Sequence, residues 1–279
     1  MRRITIAKST LEILEIGSYI SPNGHQVHIH QELQSCLDST KCYSPENLCK
    51  IESEVFKSLP PFSDTEFEVR NETTLMGSER IAKSGKLPQI GVLNFASAKN
   101  PGGGFLKGAQ AQEESLARSS ALYKSLLKCR EYYDFHRSER SLLYSNWMIY
   151  SPSCPVFKND DGELLEQPYF VNFITSPAPN AGMIQKNQQH LSLQIPEVLM
   201  SRALKVLSLA AEHGCDTLIL GAWGCGVFKN DPAIVAQIFA DILLPGGQFW
   251  GRFQRVIFSV LDNSKQQQTF AEFDKRFNR

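Results

Sequence analysis

Neither sign of charge prevails in this chain: 29 lysines and arginines stand against 29 aspartates and glutamates. That balance excludes a global field drawing the protein to nucleic acid or to an anionic membrane, so no direct nucleic-acid binding is expected. The seven cysteines (Cys36, Cys42, Cys49, Cys129, Cys154, Cys215, Cys225) contain no C-x-x-C spacing. An odd, scattered set argues against a disulfide framework and a zinc cluster, and for a reducing, cytoplasmic setting. No apolar run reaches membrane-spanning length, and Lys8, Glu12 and Glu15 interrupt the apolar region a signal peptide would need behind Arg2 and Arg3. Two nucleotide signatures are missing as well. No glycine is followed after four spacers by Gly-Lys-Ser/Thr, and Lys229 stands where a dinucleotide fingerprint needs its third glycine. His25, His28 and His30 alternate beside a turn with no acid or cysteine to complete a ligand set, so they read as a solvated strand face. No metal and no cofactor is expected.

What is present is an alternation of short apolar strands and amphipathic helices over 279 residues. Strands are expected at Glu66–Arg70, Ile90–Phe95, Trp147–Tyr150 (ended by Pro152 and Pro155), Tyr169–Ile174, Thr217–Leu220 and Arg255–Val260. Helices are expected at Ser9–Ile16 with Ser9 as cap, from Ser44-Pro45, at Thr73–Ala82, over Gln185–His213 with Pro196 as a break, from Asp231-Pro232 to Leu243, and from about Ser264 to Phe277. Ser21-Pro-Asn-Gly24 predicts a small hairpin, and Asn159-Asp-Asp-Gly162 a turn between two extended pieces. Apolar strands alternating with helices predict an α/β fold, helices covering both faces of one mixed sheet.

Two glycine-rich loops follow predicted strands. The first, Asn100-Pro-Gly102-Gly103-Gly104, follows Ile90–Phe95 and precedes Gln112-Glu113-Glu114, which open an apolar helical stripe through Leu116, Ala117, Leu122, Leu126 and Leu127. The second, Gly224-Cys225-Gly226-Val227-Phe228, follows Thr217–Leu220 and leads into the helix at Pro232. Glycine turns at the carboxyl ends of strands let successive backbone N–H groups converge on an anion, with no lysine or arginine required. Neighbours on a helix point about 100° apart, so Glu113 and Glu114 take separate tasks. A proton donor for a leaving oxygen and an activator of water are what glycoside hydrolysis demands.

Three glycines, a spacer and Gln-Glu-Glu, embedded in Val92-Leu-Asn-Phe-Ala-Ser-Ala-Lys-Asn-Pro-Gly-Gly-Gly-Phe-Leu106, resemble the poly(ADP-ribose) glycohydrolases of the macrodomain superfamily, in their bacterial-type branch. The resemblance spans essentially the whole chain. It implies a three-layer α/β/α macrodomain-like core over residues 63–279, carrying an N-terminal helical extension over 1–62. It implies exo-acting hydrolysis of the ribose–ribose O-glycosidic bond of poly(ADP-ribose), with ADP-ribose as product and ADP-ribosylated proteins as partners. Carried over residue by residue, Glu114 is the catalytic acid/base and Glu113 anchors the distal ribose. Asn100, Gly102, Gly103 and Gly104 touch that ribose and its phosphate, and Gln112 positions the loop. Gly224 to Phe228 take the pyrophosphate, the Phe228 ring lying against the distal ribose. Ser176–Asn180 has no role in that scheme; its place at a strand end would let it border the adenosine. Two other functions fit the same motifs: a reader that binds ADP-ribose without cleaving it, and a hydrolase of mono-ADP-ribose on protein or nucleic acid.

Overall fold

The structure, a computed structural model, describes residues 2–84 and 89–278. Its strands are β1 (Ser18–Ile20), β2 (Gln26–His28), β3 (Lys41–Tyr43), β4 (Glu66–Arg70), β5 (Ile90–Phe95), β6 (Met148–Lys158), β7 (Leu164–Ser176), β8 (Thr217–Leu220) and β9 (Arg255–Ser259). Its helices are α1 (Arg2–Ile16), α2 (His30–Ser39), α3 (Pro45–Val55), α4 (Thr74–Ala82), α5 (Gln112–Ser119), α6 (Leu122–Leu126), α7 (Arg130–Ser138), α8 (Ala181–Asn187), α9 (Ile195–Glu212), α10 (Pro232–Leu243) and α11 (Gln268–Phe277). Strands β1 and β2 pair as a separate hairpin. The other seven form one sheet in the order β3-β6-β7-β5-β8-β9-β4. From β7 to β4 all neighbours are parallel, whereas β6 pairs antiparallel with β7 and β3 with β6.

Side chains alternate between the faces of a strand, and here both faces are apolar. Val92, Ile219 and Ile257 join one core with Leu75, Leu116, Leu122 and Tyr132, under α4 to α7. Leu93, Leu218, Val256 and Phe258 join the other with Leu207, Phe239 and Phe273, under α9 to α11. Burial on both faces is what a parallel sheet wrapped by helices requires. The expected mixed sheet with helices on both sides, a macrodomain-like fold, is therefore observed.

Several boundaries differ from the sequence reading. Helix α1 begins at Arg2, not Ser9. Ser9 lies inside it, and its hydroxyl accepts from Lys158 Nζ at 3.2 Å, a partner from β6 that local sequence does not show. The single stripe expected beyond Gln112 breaks at Ser120, which bridges Val156 while Ala121 N–H donates to Pro155 O at 3.0 Å. Leu127, placed on that stripe, is 49 % exposed. Pro152 and Pro155 do not end their strand. A register shift between Ser151 and Cys154, with Ser153 at φ 42°, absorbs both, as bulges allow. Gln185–His213 splits into α8, a 3-10 turn and α9, with Pro196 in the first turn of α9. The last helix starts at Gln268, where the Asp262 carboxylate accepts from the N–H groups of Ser264, Thr269 and Phe270. Strand β3 was not foreseen at all. His25, His28 and His30 are exposed, and among the described residues no three His, Cys, Asp or Glu are grouped to hold a metal. No described helix is long and apolar enough to cross a membrane.

Candidate active site

The two glycine loops leave adjacent parallel strands, β5 and β8, at their carboxyl ends. Between them opens a cleft of about 1110 Å³ that is also lined by residues following β4 and β9. Open α/β sheets place their ligands at such strand ends. Asn100, Gly103, Gly104, Gln112, Glu113, Glu114 and the whole of Gly224–Phe228 line this one cleft.

Helix α5 delivers the glutamates, and Gln112 fixes where it starts. Its Oε1 accepts from Phe95 N–H at 2.8 Å, while its Nε2 donates to Leu93 O at 2.8 Å and Thr74 Oγ1 at 3.2 Å. The amide thus fastens the first turn of α5 to the end of β5. Glu113, next along, turns inward and is 3 % exposed. It accepts from Ser97 N–H at 2.7 Å and Asn94 Nδ2 at 3.3 Å. Burial pushes its carboxyl up to about 8, against these hydrogen bonds and with help from the charge of Glu114.

Glu114 is half-buried at the cleft wall, its Oε1 accepting from Gly104 N–H at 2.9 Å. Gly103 has φ 60°, and a Cβ there would stand 2.3 Å from Glu114 Oε1 and 3.3 Å from Glu113 Oε2. Both carboxyls therefore crowd the same glycine, and only glycine leaves room. Gly102 sits deeper, at φ 66°, with the Phe105 ring and Ala117 against the place a Cβ would take. From there its N–H is directed at Glu113. Asn100 ties the loop together. Its N–H donates to Ser97 Oγ at 3.1 Å, and its carbonyl accepts from Gly103 N–H at 2.9 Å.

In the second loop, the N–H groups of Cys225, Lys229 and Asn230 bond to Ala222, Gly226 and Gly224 carbonyls. Those of Gly226, Val227 and Phe228 have no partner in the chain among the described residues, and a Cβ on Gly226 would meet nothing within 4 Å. Three unpaired donors in an open turn make an anion nest. The loop is braced from behind. Asn230 Nδ2 donates to Pro179 O at 2.8 Å and Gly224 O at 3.1 Å, and Trp223 Nε1 to Ser176 O at 3.1 Å. Ser176–Asn180 supplies the carbonyls of this brace, and Ala178 Cβ lies 2.5 Å from where a Gly224 Cβ would be. Phe228 faces the cleft with Tyr144 behind it, ring centroids 6.0 Å apart. Arg202, 1 % exposed, donates to Asn146 Oδ1, Pro177 O and Leu143 O at 2.9, 2.6 and 3.0 Å, and so fastens these two segments together. Burial pushes the Cys225 thiol up to about 12, away from the reactive thiolate form.

Asn94, Ser97, Thr175, Tyr144, Asn230 and Arg202 escaped the sequence reading. Only Asn94 carried a local signal, as the one amide in an apolar strand. Ser97, Thr175, Tyr144 and Arg202 find their partners across long stretches of chain, and Asn230 reaches both Gly224 six residues back and the distant Pro179.

A three-layer α/β fold with glycine loops on neighbouring strand ends and a glutamate pair between them defines a macrodomain-like protein. The family model described as the catalytic domain of microbial-type PARG matches residues 7–159. The poly(ADP-ribose) glycohydrolase of Thermomonospora curvata shares 47 % identity over 99 % of both chains, with a TM-score of 0.93. The same enzyme with the inhibitor ADP-HPD gives a TM-score of 0.91 at 47 % identity, again over 99 % of both chains. The poly(ADP-ribose) glycohydrolase of Deinococcus radiodurans in complex with ADP-ribose shares 43 % identity over 88 % of this chain and 96 % of that one, with a TM-score of 0.82. No curated protein matches. This chain belongs to the microbial-type poly(ADP-ribose) glycohydrolases, a family of glycosidases.

Proposed function

We propose that this chain hydrolyses the ribose–ribose O-glycosidic bond of poly(ADP-ribose), with Glu114 as the acid/base and Glu113 as the holder of the distal ribose. One observation carries the reading: the Glu114 carboxyl and the three unpaired N–H groups of Gly226–Phe228 line a single cleft. A diphosphate in the nest sets the sugar between the loops, with the Phe228 ring as a wall. Glu114 then donates a proton to the departing 2′-oxygen as the C1″–O bond breaks, leaving an oxocarbenium-like ribose. Water adds to C1″ and gives its proton to the same carboxylate, which regains its starting state. Glu113, with two backbone N–H groups and an amide behind it, has its remaining oxygen lone pairs free for the ribose hydroxyls.

Glu114→Gln tests the assignment. Digestion of labelled polymer should slow by about 10² to 10⁴, while calorimetry with ADP-ribose shows binding retained. Undiminished release of ADP-ribose from the variant would remove Glu114 from the chemistry.

A further inference from the structure

Asn94 is fully buried in β5, and only half of its amide is satisfied. Its Nδ2 donates to Glu113 Oε1 at 3.3 Å and Thr175 Oγ1 at 3.1 Å, while its Oδ1 is buried with no partner. Buried carbonyls without a donor are rare, and each calls for an explanation. This orientation suits an ionised Glu113, which only accepts. A protonated Glu113 is itself a donor and would meet Nδ2 donor to donor. Turned over, the same amide would present Oδ1 to the Glu113 hydroxyl and to Thr175, whose own hydroxyl can donate or accept. We propose, on the reading that Glu113 holds the distal ribose, that Asn94 is a positioning residue: its amide turns over with the proton on Glu113 and holds that carboxyl in place in both states.

The surroundings of Glu113 favour two populated states. From its own helix comes Glu114, crowding the same Gly103 position. From α7 come Tyr132 and Tyr133, whose hydroxyls are buried without partners and are pushed well up by burial and then by the charge on Glu113. From the loop after β5 come the N–H groups of Ser97 and Gly102. No lysine or arginine forms an ion pair with Glu113 among the described residues. Burial, and after it the charge of Glu114, drives the carboxyl toward its neutral form, the two N–H donors and the Asn94 amide drive it toward its ionised form, and the balance falls at about 8. Near neutral pH a fixed amide would fit only part of the population.

The test needs no ligand. Asparagine is labelled with ¹⁵N and the side-chain amide signal of Asn94 is followed from about pH 6 to about pH 9.5, the range that brackets a buried carboxyl raised to about 8. The signal is assigned by its loss in Asn94→Asp or, where that variant does not fold, by its contact to Thr175. The expected result is a shift with one midpoint near 8, and a pH-independent signal in Glu113→Gln. Failure of the ribose-holding reading would show separately, as unchanged ADP-ribose affinity in Glu113→Gln by calorimetry. A wild-type Asn94 signal that stays flat across the range, or one that titrates as before in Glu113→Gln, would overturn the proposal.

Discussion

Replacing Glu113 by glutamine separates what this carboxyl does for a ligand from what it costs the fold. Glu113 is 3 % exposed, and burial raises it to about 8. A carboxyl raised in the folded state binds its proton more tightly there than in the unfolded chain. Its contribution is therefore fully present below the ordinary carboxylate range and is lost as pH rises through about 8. Inside that window each pH unit removes up to about 1.4 kcal/mol. Between about pH 6 and about pH 8 the wild type should lose on the order of 2–3 kcal/mol from this group alone. At about 2–4 °C per kcal/mol for a domain of this size, the effect on Tm is about 4–12 °C. Glu113→Gln removes the titration but keeps an acceptor for Ser97 N–H, and its NH₂ meets the Asn94 amide, which can turn its carbonyl toward it. Thermal melts of both proteins across this range should show a Tm difference that moves in favour of the variant with rising pH and levels off above about 8. The same variant should bind ADP-ribose more weakly at every pH. Parallel Tm curves would refute the argument, because they would mean that Glu113 titrates in the ordinary carboxylate range despite its burial.

Gly103→Ala places a methyl group 2.3 Å from Glu114 Oε1 at a backbone φ of 60°. The carboxyl must move, and a displacement of about 1 Å costs about 10² in kcat; near-normal kcat with an intact circular dichroism spectrum would contradict the geometry. Asn230→Ala removes the two hydrogen bonds that Asn230 gives to the brace of the second loop, which should raise KM about tenfold or more, from about 1–3 kcal/mol per buried group left unpaired, with kcat changed less. Polymer digestion should persist in EDTA, since the proposed chemistry uses only carboxyls, amides and backbone; loss of activity there would point to a metal the proposed mechanism lacks.

What was legible in the sequence was local. The loop Gly102–Gly104, the Gln-Glu-Glu turn, the capped start of α10 at Asp231-Pro232 and the apolar strands all declare themselves within a dozen residues, because backbone conformation and burial on both faces act through neighbours. What was not legible acts at a distance. Pro152 and Pro155 read as a strand end because the bulge that absorbs them depends on Asn172, whose Oδ1 accepts from Ser153 N–H at 2.9 Å. Strand β3 was missed because three residues, Lys41–Tyr43, become a strand only by pairing with Met148–Tyr150. Ser176–Asn180 stands out in the sequence only because it ends a strand, yet its carbonyls serve Trp223 and Asn230. The residues proposed to touch a substrate lie in glycine loops and a Gln-Glu-Glu helix start of distinctive composition. Those that hold the loops look like any other asparagine, threonine or arginine.

The charge pattern of the cleft fits the proposal that backbone, not side chains, grips the diphosphate. Its walls carry Glu72, Glu113, Glu114, Asp160, Asp161 and Asp262 against Lys107 and Lys229, an unpromising place for a diphosphate. A cationic clamp would cure that deficit, but a cation beside a carboxyl favours the ionised form, and an ionised acid cannot protonate a leaving oxygen; Arg118, one turn along α5, already lies within reach of the Glu114 charge, and a clamp would add to it. N–H dipoles in a turn act over a few ångströms only. In the proposed reading they hold phosphate at Gly226–Phe228 without adding a full positive charge to the cleft. The absence of a basic patch and the abundance of glycine at two strand ends then answer one requirement, that the anion be bound without neutralising the acid's task.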